Sequence, residues 1–392
     1  MTSSTFGPRR VVSGGHIYGT HRALEPEGGL PQAAERIDND FSRLFEGEML
    51  VAVETLNVDA ASFAQMEGAA AREVANAAGG GATGGGDGAP GAGGAANVAS
   101  GGGERGRIDE LVADAVCQTV ARRGKQHNPV TGSGGMLLGR VLQLAPGRPA
   151  GETIAVGDRI ASLVSLSLTP LRIDRVKAVR RVSAQLDIDG EAVLFASGAY
   201  ARMPDDLPER LALAVLDVAG AAPQVARMVS PNDSVVVLGA GGKSGILCAA
   251  EARRAAGRGG RVVGIESFPR AADELRALGI CDAVLSADAR DPLAVERAVF
   301  GANGGRGADV TFSCVNVQDA EMGAIMATRD RGRVYFFAMS TSFTKAALGA
   351  EGLGKDVDLW IGNGFARGHA EHTLAMMREM PAIRALFEAR YG

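Results

Sequence analysis

The sequence lacks an excess of basic charge, a membrane-length apolar run and any close pairing of cysteines, and each absence removes a class of function. With 41 Lys and Arg against 45 Asp and Glu, the formal net charge is −4 and the pI about 5.9. No basic field exists to attract nucleic acid. No apolar run reaches the length that spans a bilayer, and the opening MTSSTFGP has no apolar core of a secretory signal. A soluble, cytoplasmic protein without nucleic-acid or membrane partners is expected. Cys117, Cys248, Cys281 and Cys314 are scattered with no C-x-x-C spacing, which argues against a disulfide framework and a cysteine-rich structural zinc site. Lysine is confined to Lys125, Lys177, Lys243, Lys345 and Lys355, a bias that reads as genome composition. At 392 residues the chain has room for two domains with substantial cores.

What is present is concentrated in residues 234–266, SVVVLGAGGKSGILCAAEARRAAGRGGRVVGIE. A β-branched run ends in a glycine-rich turn, an alanine-rich helical stretch follows, and a second strand at 261–265 ends in Glu266. This is the order of a dinucleotide-binding βαβ unit. Gly239, Gly241, Gly242 and Gly245 let the turn close and bring backbone near a pyrophosphate. The N–H groups of 242–245, Lys243 and Ser244 among them, open the helix toward that anion. Glu266 can accept hydrogen bonds from both ribose hydroxyls and repel a 2′-phosphate, which points to NAD over NADP. One departure stands out: strict G-x-G-x-x-G spacing puts glycine at 244, where the chain has Ser244, with glycine at 245. Gly242-Lys243-Ser244 also imitates the tail of a phosphate-binding P-loop, but the glycine that motif needs five positions earlier is Val237. A tight βα turn with no ligand is the remaining reading.

Before this unit, alternating patterns at 49–57, 138–144 and 153–163 predict strands and a mostly β domain. A Gly/Ala tract over about 69–106 is expected to be a mobile surface insertion, too poor in large apolar residues to bury a core. After it, 208–219 reads as a helix ending at Gly220. Strand cores then follow at 234–238, 261–265, 283–286, 308–314 and 333–339, with helices between them near 244–256, 269–278, 292–300 and 318–328. Strands alternating with helices predict a parallel sheet. The tail beyond about 342 carries a strand-like run at 357–361 and two helices, and is expected to return to the first domain.

Several phrases resemble the medium-chain dehydrogenase/reductase superfamily. NPVTGSGGMLLG at 128–139 stands where zinc alcohol dehydrogenases carry P-x-x-x-G-H-E-x-x-G, VGDRI at 156–160 looks like the G-D-R-V turn, and FSCV at 312–315 resembles the strand end near the nicotinamide. The resemblance implies an α/β chain. A Rossmann-type parallel-sheet domain at 206–341 would join a β-rich GroES-like catalytic domain built from 1–205 and 342–392. More specifically, LNVDAASF at 56–63, NPVTGSGGM at 128–136, VLFASG at 193–198, LAVLDVAG at 213–220 and GAGGKSG at 239–245 resemble the L-erythro-3,5-diaminohexanoate dehydrogenase family. That resemblance covers nearly the whole chain outside the Gly/Ala tract. It implies NAD-dependent oxidative deamination at C3 to 5-amino-3-oxohexanoate, ammonia and NADH, as in lysine fermentation, by a homodimer.

Where the zinc enzymes place His-Glu this chain has Ser133-Gly134, and where a cysteine ligand would stand it reads Asn57, Val58, Asp59, so no catalytic zinc is expected. His369 and His372, three apart on a helix, read as a solvated helix face. Amine oxidation can proceed without a Lewis acid if the protein supplies a base or proton path and holds the substrate ends. The resemblance puts Asp59 on the loop facing the cofactor, where it could hold an ammonium or relay a proton, or simply make an Asx turn. His127 suits a proton relay, with a loop-structural role as the alternative. Thr131 and Ser133 could hydrogen-bond the reacting nitrogen or the attacking water. Asn57, Ser62 and Asn128 are further substrate contacts, and Arg122, Arg123 and Lys125 a cationic anchor for its carboxylate or else an exposed basic turn. Asp217, in an apolar helical stretch, is costly to bury unless paired, which makes it a site or network residue. Cys314, Val315 and Asn316, with Ala338, Met339 and Ser340, end parallel strands, where open α/β sheets bind cofactors. Two other readings remain: a zinc-independent quinone or enoyl reductase, and a nucleotide-binding relative without activity.

Overall fold

The computed structural model describes residues 7–78, 102–128, 132, 134–338 and 340–391, which fall into two compact units divided between Arg202 and Met203. The first unit runs β1 (Arg10–Val12), β2 (Ala23–Glu25), β3 (Arg36–Ile37), β4 (Arg43–Phe45), β5 (Met49–Asn57), α1 (Ala60–Ala78), α2 (Gly102–Arg123), β6 (Met136–Leu144), β7 (Arg159–Ser162), β8 (Leu171–Arg180), β9 (Gln185–Leu194) and β10 (Tyr200–Arg202). Its frame is an antiparallel sheet in the order β10-β7-β6-β5-β9-β8, with β1–β4 and β2–β3 as two small ribbons. Central β5 ends with Asn57 opposite Met136 of β6 and Gln185 of β9, so the 57–59 loop and the start of β6 meet at one end of the sheet. Of the strand expected over 153–163, only Arg159–Ser162 pairs.

The Gly/Ala tract is not structureless at its flanks, which corrects the expectation of an insertion over 69–106. Residues 60–78 form α1 and residues 102–123 form α2, while 79–101 lie outside the described residues. Alanine, glutamate, glutamine and methionine are strong helix formers, so low complexity here carries high helix propensity. Spacing completes the argument: Val112, Val116 and Val120, each four apart on α2, are buried in one cluster with Phe63 and Ala70 of α1 and Met49, Val51 and Val53 of β5.

The second unit contains α3 (Glu209–Leu216), α4 (Ala221–Met228), β11 (Ser234–Leu238), α5 (Lys243–Ala256), β12 (Arg261–Ile265), α6 (Pro269–Leu278), β13 (Ala283–Leu285), α7 (Pro292–Ala302), β14 (Ala308–Ser313), α8 (Glu321–Ala327), β15 (Thr328–Phe336), α9 (Phe343–Leu353), β16 (Asp358–Ile361), α10 (His369–Glu379) and α11 (Pro381–Tyr391). All strands are parallel, in the order β13-β12-β11-β14-β15-β16. The β11 run SVVVL is buried throughout, as a strand covered on both faces must be. Strand order reverses between β11 and β14, the place where such sheets open a crevice at their carboxyl ends.

The tail differs from the expectation that 342–392 returns to the first domain. β16 pairs in parallel with β15, and α10 and α11 pack on α3, α4 and α6, all within the second unit. The reason is local: β15 offers an unpaired edge that the next strand completes. Among the described residues no single helix is long and apolar enough to cross a membrane.

Candidate functional site

At the carboxyl end of the parallel sheet, three glycines are fixed by contact. Gly239 has φ +70, and a Cβ on Gly245 would stand 2.1 Å from the Gly239 carbonyl oxygen. A Cβ on Gly241 would stand 2.8 Å from Glu266 Oε2. The third glycine therefore sits at 245 because that is where α5 backs onto the turn, which explains the departure from strict spacing. Gly242 opens α5 with no side-chain cap, leaving first-turn N–H groups, those of Lys243 and Ser244 included, for another acceptor. Buried Glu266 accepts from the Gly241 N–H at 3.0 Å and from the Phe268 N–H at 3.0 Å. These residues fit a dinucleotide: a glycine cradle that any Cβ would fill, and a carboxylate held at the end of β12. The P-loop reading fails at Val237, fully buried inside β11.

The neighbouring strand ends complete this edge. Val315 Cγ2 lies 3.0 Å from where a Cβ on Gly239 would stand, and Asn316 is exposed. Ser340 Oγ donates to the Val317 carbonyl at 3.1 Å and Ala338 is half-buried, while Met339 lies outside the described residues. Cys314 Sγ is 3.6 Å from Cys248 Sγ, both thiols free. Asp217 corrects the expectation of a buried carboxylate. It is exposed just past the end of α3 and pairs with Lys243 Nζ at 2.8 Å. Arg390, near the chain end, donates to the Gly241 carbonyl at 2.7 Å and also binds Glu274.

In the first unit, Asp59 follows β5 and caps α1: its Oδ1 accepts from the Ser62 N–H at 2.9 Å. Its Oδ2 accepts from the Ser62 hydroxyl, and Ser62 Oγ in turn accepts from Asn128 Nδ2 at 2.7 Å. Asn128 also donates to Gln65 Oε1 at 3.3 Å. Asn57 Oδ1 is occupied instead by Gln185 Nε2 at 3.2 Å. The Asx cap expected of Asp59 is thus present, and its second carboxylate oxygen is held by the Ser62 hydroxyl. Glycines again permit the approach: a Cβ on Gly135 (φ +89) would stand 2.1 Å from the Asn57 carbonyl, and one on Gly134 2.4 Å from the Gln126 carbonyl. Thr131 and Ser133 lie outside the described residues.

Beside this chain, a cavity of about 510 Å³ opens between α1 and α2, with Gln126, His127 and Asn128 along it. Gln126 Oε1 and His127 Nδ1 are buried without a hydrogen-bond partner among the described residues. Burial, with Lys125 and Arg123 nearby, holds the His127 imidazole below its ordinary pKa and therefore uncharged at neutral pH. The proposed cationic anchor looks different here. Lys125 is fully buried, donating to the Pro31 and Gln32 carbonyls at 2.5 and 3.1 Å, and burial with Arg123 beside it drops its pKa to about 8. Arg123 pairs with Glu35 and Arg122 is exposed; none of the three lines the cavity. His369, expected on a solvated face, is buried, and His372 Nε2 meets Glu251 Oε2 at 3.1 Å. Among the described residues no group of three or more His, Cys, Asp or Glu is placed to hold a metal ion.

Sequence reasoning missed Gln65, Glu73, Asp114 and Gln126. The signal existed: Ser62, Gln65, Met66, Ala69 and Glu73 occupy one face of α1, and Leu111, Asp114, Ala115 and Gln118 one face of α2. It becomes visible only once both segments are recognised as helices. Arg390 carried no local signal at all.

The family model for the L-erythro-3,5-diaminohexanoate dehydrogenase N-terminal domain matches residues 21–78 and 100–204. The chain is 45% identical over 374 residues to the L-erythro-3,5-diaminohexanoate dehydrogenase of Acetoanaerobium sticklandii, covering 95% of this chain and 98% of that one. It is 42% identical to the Fusobacterium nucleatum enzyme of the same name over the same shares. A solved mycobacterial structure complexed with NADPH superposes with a TM-score of 0.52 at 16% identity, covering 92% of this chain and 94% of the other. That last likeness concerns the fold.

Proposed function

The chain belongs to the L-erythro-3,5-diaminohexanoate dehydrogenase family and is an oxidoreductase, and we propose that it oxidises the C3–N bond of L-erythro-3,5-diaminohexanoate with NAD. The products would be 5-amino-3-oxohexanoate, ammonia and NADH, a step of lysine degradation by fermentation. The observation that carries the chemistry is the hydrogen-bonded chain Asn128–Ser62–Asp59. NAD supplies an acceptor for the hydride from C3. The protein's part begins with the substrate ammonium, which must lose a proton before its lone pair can drive hydride departure. Ser62 Oγ accepts that proton while its own passes to Asp59, and Asn128 orients the hydroxyl through its N–H. Water then adds to the substrate iminium carbon, and the carbinolamine expels ammonia. Gly134 offers no ligand atom where zinc relatives carry a metal-binding side chain, so a metal-free reaction is part of the proposal.

The choice of NAD rests on Glu266, whose carboxylate would receive ribose hydroxyls and repel a 2′-phosphate. A cytoplasmic homodimer completes the reading; β16 is an edge strand that exposes Trp360 and Ile361. Initial rates of nicotinamide reduction with racemic 3,5-diaminohexanoate decide the matter. Turnover with NAD that survives a chelator, and is at least about ten-fold weaker with NADP, is expected. Tight NAD binding without turnover would instead favour the reductase reading, and loss on chelation restored by zinc would refute the metal-free one.

A further inference from the structure

The cavity between α1 and α2 has a chemistry that the proton path does not use. Gln126 is 2% exposed, yet its Oε1 has no donor, and His127 Nδ1 beside it is equally without a partner among the described residues. A buried amide oxygen is stable only when something donates to it. Glu73 and Asp114, both exposed, add negative charge at the rim, and no Lys or Arg lines the space. Met66 and Leu111 contribute apolar wall. Acceptors, carboxylates and a greasy side together describe a subsite for a short alkylammonium; the Lys125 and Arg123 charges that bear on His127 stand outside the lining, committed to the Pro31 and Gln32 carbonyls and to Glu35.

We propose that this cavity receives the C5 ammonium of the diamino acid, with Gln126 Oε1 as its buried acceptor and Glu73 and Asp114 supplying the attractive field. The inference rests on the substrate reading above. An ammonium has three N–H donors, enough for Gln126 Oε1, His127 Nδ1 and one further oxygen. Ser62 and Asn128 line the same space, and the substrate's two amines are separated by a single methylene, so one ligand can engage both groups. The cavity then specifies which end of the substrate enters and selects diamines over monoamines.

The test compares 3,5-diaminohexanoate with 3-aminohexanoate, which lacks the C5 amine, in NAD-dependent turnover. Wild type should prefer the diamine strongly in kcat/KM. Gln126→Met should cut that preference by about ten-fold or more, chiefly through KM, since a hydrogen bond to a charged group is lost. Its Tm should not fall, because an unpartnered buried acceptor has been removed. The double variant Glu73→Gln/Asp114→Asn, altered only at exposed positions, should cut the preference several-fold at low salt and less at high salt. If Gln126→Met does not fold, the double variant decides alone. Preference within about two-fold of wild type in the folded variants overturns the inference but leaves the reaction intact. Absence of wild-type turnover with the diamine overturns both.

Discussion

Around Gly239–Gly245 the open polar groups are backbone: the first-turn amides of α5, Lys243 and Ser244 among them, behind a turn in which Gly241 and Gly245 would collide with their neighbours if given a side chain. Around Asp59 it is side chain: a carboxylate, a hydroxyl and an amide linked across 70 positions of sequence. The difference follows from the two sheets. Parallel strands buried on both faces leave polar groups only at their ends, where the backbone leaves the sheet. The antiparallel sheet of the first unit instead carries a helical pair that can present a whole polar face. One half should therefore respond to added bulk, and the other to charge and pH.

Four substitutions test that contrast, beginning with the largest effect. Asp59→Asn keeps a capping residue on α1 but removes the proton acceptor, so kcat/KM should fall by roughly 10²–10⁴-fold with NAD affinity held, measured by steady-state kinetics and calorimetry. A collapse of NAD affinity would mean the two halves are not chemically separate. Gly245→Ala should weaken NAD binding by about 100-fold or destabilise the fold by about 2 kcal/mol, because its methyl meets a carbonyl at 2.1 Å. Gly242→Ala, whose nearest non-local atom would be 3.4 Å away, should change affinity by no more than about two-fold. Equal effects at both glycines would defeat the steric account. The smallest change concerns Lys125, whose folded pKa of about 8 lies below the usual 10.5. Below pH 8 both states are charged and burial opposes folding in full. From pH 8 to 10.5 the folded state sheds its proton first, so stability should rise with pH across that window, by up to about 1.4 kcal/mol per pH unit. Lys125→Met should flatten that rise in denaturant titrations.

The same contrast explains how much was legible. The β11–α5–β12 unit could be read directly because strand, turn, helix and terminal acid are neighbours in sequence, and even the odd glycine at 245 had a local cause. In the first unit Asp59, Ser62 and Asn128 could each be named, but their joining depends on a chain reversal that no local pattern encodes. Lys125 reads in sequence as a carboxylate anchor or an exposed basic turn, and only tertiary packing buries it against the Pro31 and Gln32 carbonyls. The Gly/Ala tract hid two helices because glycines blur the end of α1 and the start of α2. The tail's placement is hidden from the sequence for a similar reason: the edge of β15 that recruits β16 exists only in the assembled sheet.

Arg390 ties the last helix to the glycine turn by donating to the Gly241 carbonyl, and Lys243 Nζ lies 5.4 Å from the ring centre of Tyr391. The stiffness of the turn is thus borrowed from an element 149 positions away in sequence. Full cofactor affinity should therefore depend on the docking of α11, and Arg390→Ala should weaken NAD binding while leaving β11, α5 and β12 folded.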